Sequence, residues 1–133
     1  MSRKSPSRNS EAGPEGEPSV GMHRRRLGQA GERAAEEWYR SRGFDLVERN
    51  WRCARGEIDL ILRKKQLLVV CEVKTRASDA FGIPAEAVSV AKQRRIRGLA
   101  SLFLEESDLT HAAVRFDVAC VMGTGIEIIE DAF

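Results

Sequence analysis

At 133 residues the chain has room for one domain around one core, and its 22 lysines and arginines nearly balance its 20 aspartates and glutamates, leaving a net charge of +2 that alone singles out no partner. Three cysteines, odd in number and without a Cys-x-x-Cys pair, point to neither a disulfide framework nor a zinc site, and His23 and His111 stand too isolated to suggest metal ligands. No apolar run approaches the roughly 18–20 residues of a membrane span, and the N-terminus lacks a hydrophobic signal core, so a reduced, cytoplasmic setting without membrane partners is expected.

Residues 1 to 21 are rich in Ser, Pro, Gly, Glu and Arg and nearly free of large apolar side chains, a composition that predicts a disordered tail ahead of a single domain over 22–133. His23-Arg24-Arg25-Arg26 leads into the first helix, either as a phosphate-binding arm or as a soluble helix entrance. Leu27 to Arg42 reads as that helix, burying Ala30, Ala34 and Trp38 with Ala35 and Tyr39 beside them, and Gly43 stops it. A first strand runs from Phe44 to Trp51. Gly56 to Arg63 alternates polar and apolar residues, and Leu67 to Thr75 opens on Leu-Leu-Val-Val-Cys, so both read as strands separated by Lys64, Lys65 and Gln66. After a loop from Arg76 to Ile83 containing Phe81-Gly82, Pro84 suits the first turn of a second helix. That helix turns Val88, Ala91, Ile96, Leu99, Leu102 and Phe103 inward, shows Lys92, Arg94, Arg95 and Arg97 outward, and ends near Glu106. Ala112 to Met122 and Gly125 to Glu130, joined through Gly123-Thr124-Gly125, supply two more strands. The order α-β-β-β-α-β-β predicts an α/β fold, a mixed five-stranded sheet flanked by helices.

Asp59, Glu72 and Lys74 are the residues with chemical content. A hairpin symmetric about Lys65-Gln66 sets Arg63 opposite Leu68, Asp59 opposite Glu72 and Glu57 opposite Lys74. Two opposed carboxylates, with Cβ atoms roughly 4.5–5.5 Å apart, repel unless a cation lies between them, and a hard divalent metal with oxygen ligands is the natural occupant. Lys-Gln is a poor pair for a type I′ turn, which asks for positive φ. Glu-x-Lys alone is an ordinary exposed strand pair; the carboxylate of Asp59 and the apolar flanks give it meaning. Leu68, Val70, Glu72 and Lys74 share one face, apolar near the turn and charged further on, as where a packed sheet opens into a cleft. Charge distribution adds a partner: Leu27 to Leu104 holds 15 basic and 10 acidic residues (+5), Glu105 to Phe133 one basic and seven acidic (−6). Arg55 and Arg76 flank the proposed site, and Lys92 and Arg95 lie on the second helix, a clustering that suits a polyanion such as nucleic acid. Glu57 is expected to pair with Lys74, and Asp117 to be structural.

Gly31-Glu32-Arg33-Ala34-Ala35, Gly56-Glu57-Ile58-Asp59-Leu60-Ile61, Glu72-Val73-Lys74-Thr75-Arg76, Phe81-Gly82, Lys92 with Arg95-Ile96, and Arg115-Phe116-Asp117-Val118 together resemble the YraN-like bacterial family. That family is placed by its motifs in the PD-(D/E)XK nuclease superfamily, is similar to the archaeal Holliday-junction resolvases, and is matched here from about Leu27 to Ile129. The resemblance implies a restriction-endonuclease-like core, with Asp59 and Glu72 as metal ligands and Lys74 as the catalytic lysine. It adds Glu32, since those resolvases carry a helical glutamate eleven residues before a Gly-Phe pair, as Glu32 stands to Gly43-Phe44. By its sequence alone Glu32 is a solvated helix residue.

The activity implied is Mg²⁺-dependent hydrolysis of phosphodiester bonds in DNA, branched or damaged DNA included, with Mn²⁺ as a substitute and no small-molecule cofactor. The metal, on Asp59 and Glu72 with the Val73 carbonyl, would polarise the phosphate and acidify bound water. Lys74 would orient that water and offset charge, and Glu32 would hold a second metal or a metal-bound water. Related resolvases are dimers, which makes a second copy of the chain a further expected partner. Two other classes stay open: a nucleic-acid-binding module that keeps the fold without turnover, and a protein-interaction domain whose acidic last strands dock a basic partner.

Overall fold

Alternation along Leu67–Arg76 sends Leu68 and Val70 to one side and Val69 and Cys71 to the other, and all four are buried. A strand buried on both faces must lie at the centre of a sheet with a layer on each side. In a computed structural model of the chain, which describes residues 20–76, 88–111, 113–123 and 125–133, this is what is found. The elements are α1 (Val20–Arg40), β1 (Asp45–Cys53), β2 (Gly56–Lys64), β3 (Leu67–Arg76), α2 (Val90–Glu106), β4 (Ala113–Met122) and β5 (Gly125–Ile129), in the order read from the sequence. The strands lie in one sheet in chain order, antiparallel except for β3 and β4, which run parallel and are joined by the crossover that contains α2.

The two faces make two cores. Leu68 and Val70 pack with Ile96, Leu99 and Phe103 of α2 and with Phe116 and Val118 of β4. Val69 and Cys71 pack with Ala35 and Tyr39 of α1, Leu60 and Leu62 of β2 and Ala119 of β4. Cys71 and Cys120 are buried and free, as expected of small core residues. The predicted inward residues of α1 need one correction: Ala30 is exposed, and the buried line runs through Gly31, Ala35 and Tyr39. Gly31 lies so close to Thr75 of β3 that an added Cβ would meet the Thr75 side chain, so at this point α1 comes this near to β3 only because it has no side chain there.

Asp117 is fully buried and accepts four hydrogen bonds: from the Tyr39 hydroxyl at 2.6 Å, from Arg115 Nε at 2.9 Å and Nη2 at 3.0 Å, and from the Asp131 amide at 3.0 Å. A buried carboxylate satisfied this completely is a structural tie, here joining α1 to β4.

The elements start and stop somewhat differently from the expectation. Helix α1 begins at Val20 rather than Leu27. Helix α2 begins at Val90 rather than near Pro84, because Ser89 caps it: its hydroxyl accepts the Lys92 amide at 3.1 Å. Val88, read as helical, is buried but precedes the cap, and Ala91 is exposed. Of the tail expected to be disordered over residues 1–21, Val20 and Gly21 are instead helical, while residues 1–19, the loop with Phe81-Gly82, Pro84 and Thr124 lie outside the described residues.

Candidate metal centre and its surroundings

The β2–β3 hairpin has the register that symmetry about Lys65-Gln66 predicts: Lys64 pairs with Leu67, Arg63 with Leu68, and the ladder continues to Leu60 with Cys71. Lys65 accepts a positive φ of 55° to make the two-residue turn despite its Cβ. The predicted Asp59–Glu72 and Glu57–Lys74 pairs do not form, because β2 and β3 part after Cys71. Strand β3 meanwhile keeps its parallel pairing with β4 as far as Arg76–Met122. At the point of parting Asp59 Oδ2 accepts the Val73 amide at 2.8 Å, so a side chain takes the place of the missing ladder bond. The β1–β2 ladder is interrupted at the same residue, passing from Arg49–Leu60 to Trp51–Ile58 without pairing Asn50 to Asp59. Asp59 thus sits where β2 leaves β3, while on its other side the β1–β2 ladder skips one pair and resumes in the same register.

Into that opening the neighbouring elements bring charged side chains. Glu57, Asp59 and Glu72 line one pocket of about 230 Å³ with Gly56, closed by Lys92, Arg95, Ile96 and Leu99 from α2. Glu72 is 8% exposed, and its Oε2 lies 2.7 Å from Lys92 Nζ and 3.7 Å from Lys74 Nζ. Burial, then the charge of Glu72, pushes the Asp59 carboxyl up to about 7, against the Val73 amide, which favours its charged form. Burial, then the neighbouring Lys92, lowers Lys74, with Glu72 opposing. Burial also disfavours the Lys92 ammonium, but its hydrogen bond and attraction to Glu72 outweigh that and leave its pKa raised.

Three expectations are thereby refined. Lys92, read as an outward phosphate contact, reaches into the carboxylate pocket. Glu57 pairs with Arg52 at 3.0 Å instead of Lys74. Among the described residues no three Asp, Glu, His or Cys side chains gather around one point, so Glu32 is not in one ligand group with Asp59 and Glu72. Glu32 lines a separate pocket of about 560 Å³ between α1 and β1, near enough for charge interaction with Asp59 and Glu72. Its pKa is raised, by burial first, against a hydrogen bond from Asn50 Nδ2 at 3.1 Å that lowers it. Asn50 is the site residue that sequence reasoning missed, since an Asn inside an irregular strand carries no pattern. Its one available signal is the tolerance of Asn for positive φ.

The donor set can be tested against a metal on its own chemistry. Asp59 and Glu72, with Glu57 lining the same pocket but paired to Arg52 and with no thiolate or imidazole in the lining, match a hard divalent cation, which binds through one or two carboxylates and keeps several waters. Burial and then repulsion from Glu72 raise Asp59, and such a cation relieves the repulsion. Asp59 and Glu72 therefore fit Mg²⁺ or Mn²⁺.

A third pocket, of about 330 Å³, adjoins the carboxylate pocket through Arg95 and Leu99 and is lined by Arg55, Arg94, Arg95 and Gly98. Among the described residues none of these three arginines has an ion-pair partner, whereas Arg40, Arg49, Arg52 and Arg115 all do. Arg76 is half-buried at the end of β3, with its Nε lacking a hydrogen-bond partner among the described residues. Arg97 instead stacks over Phe116 at 4.8 Å.

A mixed sheet in this order, flanked by two helices and carrying an Asp and a Glu-x-Lys where its central strands part, is a restriction-endonuclease-like α/β fold. The chain belongs to the uncharacterised protein family UPF0102, the YraN-like family, whose model matches residues 31–121 and which is PD-(D/E)XK-like. It is similar to UPF0102 proteins of Beutenbergia cavernae (49% identical over 98 residues, 74% of this chain and 83% of the relative), Hahella chejuensis (46% over 112 residues, 80% and 89%) and Rhodococcus opacus (46% over 116 residues, 84% and 98%). No helix among the described residues is long and apolar enough to cross a membrane.

Proposed function

We propose that this protein is a divalent-metal-dependent endonuclease acting on DNA, branched or damaged DNA included. The observation that carries the reading is the convergence of Asp59 and Glu72 on one pocket at the parting of β2 and β3, with Lys74 against Glu72. Mg²⁺ or Mn²⁺ held by Asp59 and Glu72 would polarise a phosphate and supply a more acidic water. Lys74, its pKa lowered by burial and by Lys92, orients that water and offsets charge on the attacked phosphate. Lys92 adds a second positive charge to the pocket. Arg55, Arg94 and Arg95, without acidic partners among the described residues, meet the backbone beyond the cleaved phosphate, and Arg76 lies beside the site on the same strand as Lys74. Such contacts position the duplex without reading its sequence.

A nucleic-acid-binding module without turnover is the second reading, favoured by the Lys92 ammonium that already gives Glu72 a counter-charge at 2.7 Å. The deciding experiment incubates the protein with Mg²⁺ or Mn²⁺ and linear, nicked, flapped and four-way DNA beside Asp59→Ala and Lys74→Ala. Cleavage by wild type, lowered about a hundredfold or more in each variant, is the expected result. Equal cleavage by the variants would mean a contaminant and ends the assignment; salt-dependent binding without any cleavage supports the second reading.

A further inference from the structure

In a regular strand consecutive side chains point to opposite faces. Arg49 and Asn50 of β1 break that rule. Arg49 Nη2 donates to Glu36 at 2.9 Å and 3.1 Å, and Asn50 Nδ2 donates to Glu32 at 3.1 Å, so two neighbouring side chains reach two acids one turn apart on the same helix. What permits this is the backbone of Asn50, whose φ of 53° lies in the left-handed region, and the ladder omits its pair with Asp59 at that point. A non-glycine residue held there is strained, and such strain is kept where its surroundings hold it in place. It is the amide nitrogen that serves Glu32, donating to its Oε1.

We infer that Asn50 is a positioning residue for the metal centre: its left-handed backbone aims the amide at Glu32 and holds that carboxylate within reach of the charges of Asp59 and Glu72, where it acts on the cation through water. This rests on the metal-centre reading above and adds to it. The Glu32 carboxylate is half-buried and close to other negative charges. Without the Asn50 donor nothing on β1 holds its carboxylate in this direction, and it is free to turn toward solvent and away from the cation's surroundings.

The test compares Asn50→Gly, which takes positive φ readily but has no amide, with wild type and Glu32→Gln, and measures Mn²⁺ affinity by electron paramagnetic resonance with thermal melting as a control of folding. Expected are a melting temperature near that of wild type and a Mn²⁺ affinity lower by about tenfold, the size typical for loss of a group that orients a metal ligand. In the Glu32→Gln background Asn50→Gly should add nothing further. Wild-type affinity in Asn50→Gly together with weakened binding in Glu32→Gln would mean that Asn50 serves the backbone alone, overturning this inference and sparing the metal centre. Unchanged Mn²⁺ affinity in Glu32→Gln removes Glu32 from the site and the inference with it, and if Asp59→Ala is also unchanged the metal-centre reading fails as well.

Discussion

Asp59 is charged at the expense of the fold. Its carboxyl is raised from the usual range to about 7, by burial and then by Glu72, so the protonated form is the one the folded protein prefers. A group raised on folding favours the folded state below its unfolded pKa of about 4 and loses that contribution as pH rises through about 7. Metal-free protein should therefore lose stability between those limits as pH increases. Asp59→Asn, which cannot ionise, should flatten that part of the profile and melt several degrees above wild type at pH 8, and saturating Mn²⁺ should reverse the order by stabilising wild type alone. Thermal melts at pH 5 and pH 8, with and without metal, check this; a variant melting below wild type at pH 8 without metal would contradict it. At this scale much was legible. Asp59, Glu72 and Lys74 could be found because alternation assigns a face to each residue once the hairpin turn is known. The partners of Glu57 and Lys92 could not, because long flexible side chains choose among charges that only the folded chain brings near.

Among the elements, the contact of α1 with β3 is the most exacting. Gly31 faces Thr75, next to Lys74, with no room for a methyl group, and the backbone there is that of a plain helix, so the need for glycine is one of space. Gly31→Ala would gain helix propensity, roughly 1 kcal/mol, but must push the helix off the strand, and overpacking of that kind typically costs about 1–3 kcal/mol. A lower midpoint in urea unfolding is expected, with weaker activity as Glu32 moves with its helix; a higher midpoint would mean that Thr75 yields freely. The start of α2 shows why element ends are harder to read than their cores. By sequence Pro84 and Ser89 are both good helix starters; Ser89 is the residue that caps α2, with Val88 buried just ahead of it.

Across the whole molecule, charge is sorted more than it is abundant. Arginines that brace the fold have acids or rings to meet, whereas Arg55, Arg94 and Arg95 surround a pocket that runs into the carboxylate site. Replacing all three by Ala should leave the melting temperature nearly unchanged. It should weaken DNA binding about tenfold at ~0.1 M salt and make the salt dependence shallower by about 1 for each phosphate that goes without its arginine. Fluorescence anisotropy with labelled duplex measures both, and an unaltered slope would move the binding path elsewhere. The same sorting was visible in the sequence as a basic stretch followed by an acidic one, but not which arginines were engaged, because partners such as Glu36 and Asp117 come from distant parts of the chain.

The Tyr39–Asp117 hydrogen bond joins positions 78 residues apart. Local hairpins close early and such distant contacts late, so during synthesis the three-strand meander can assemble while Tyr39 still lacks its acceptor. Until the parallel strand docks, the helix bearing Glu32 has no anchor on that side. A half-made chain is thus expected to be inert, with competence arriving only once its second half has been added.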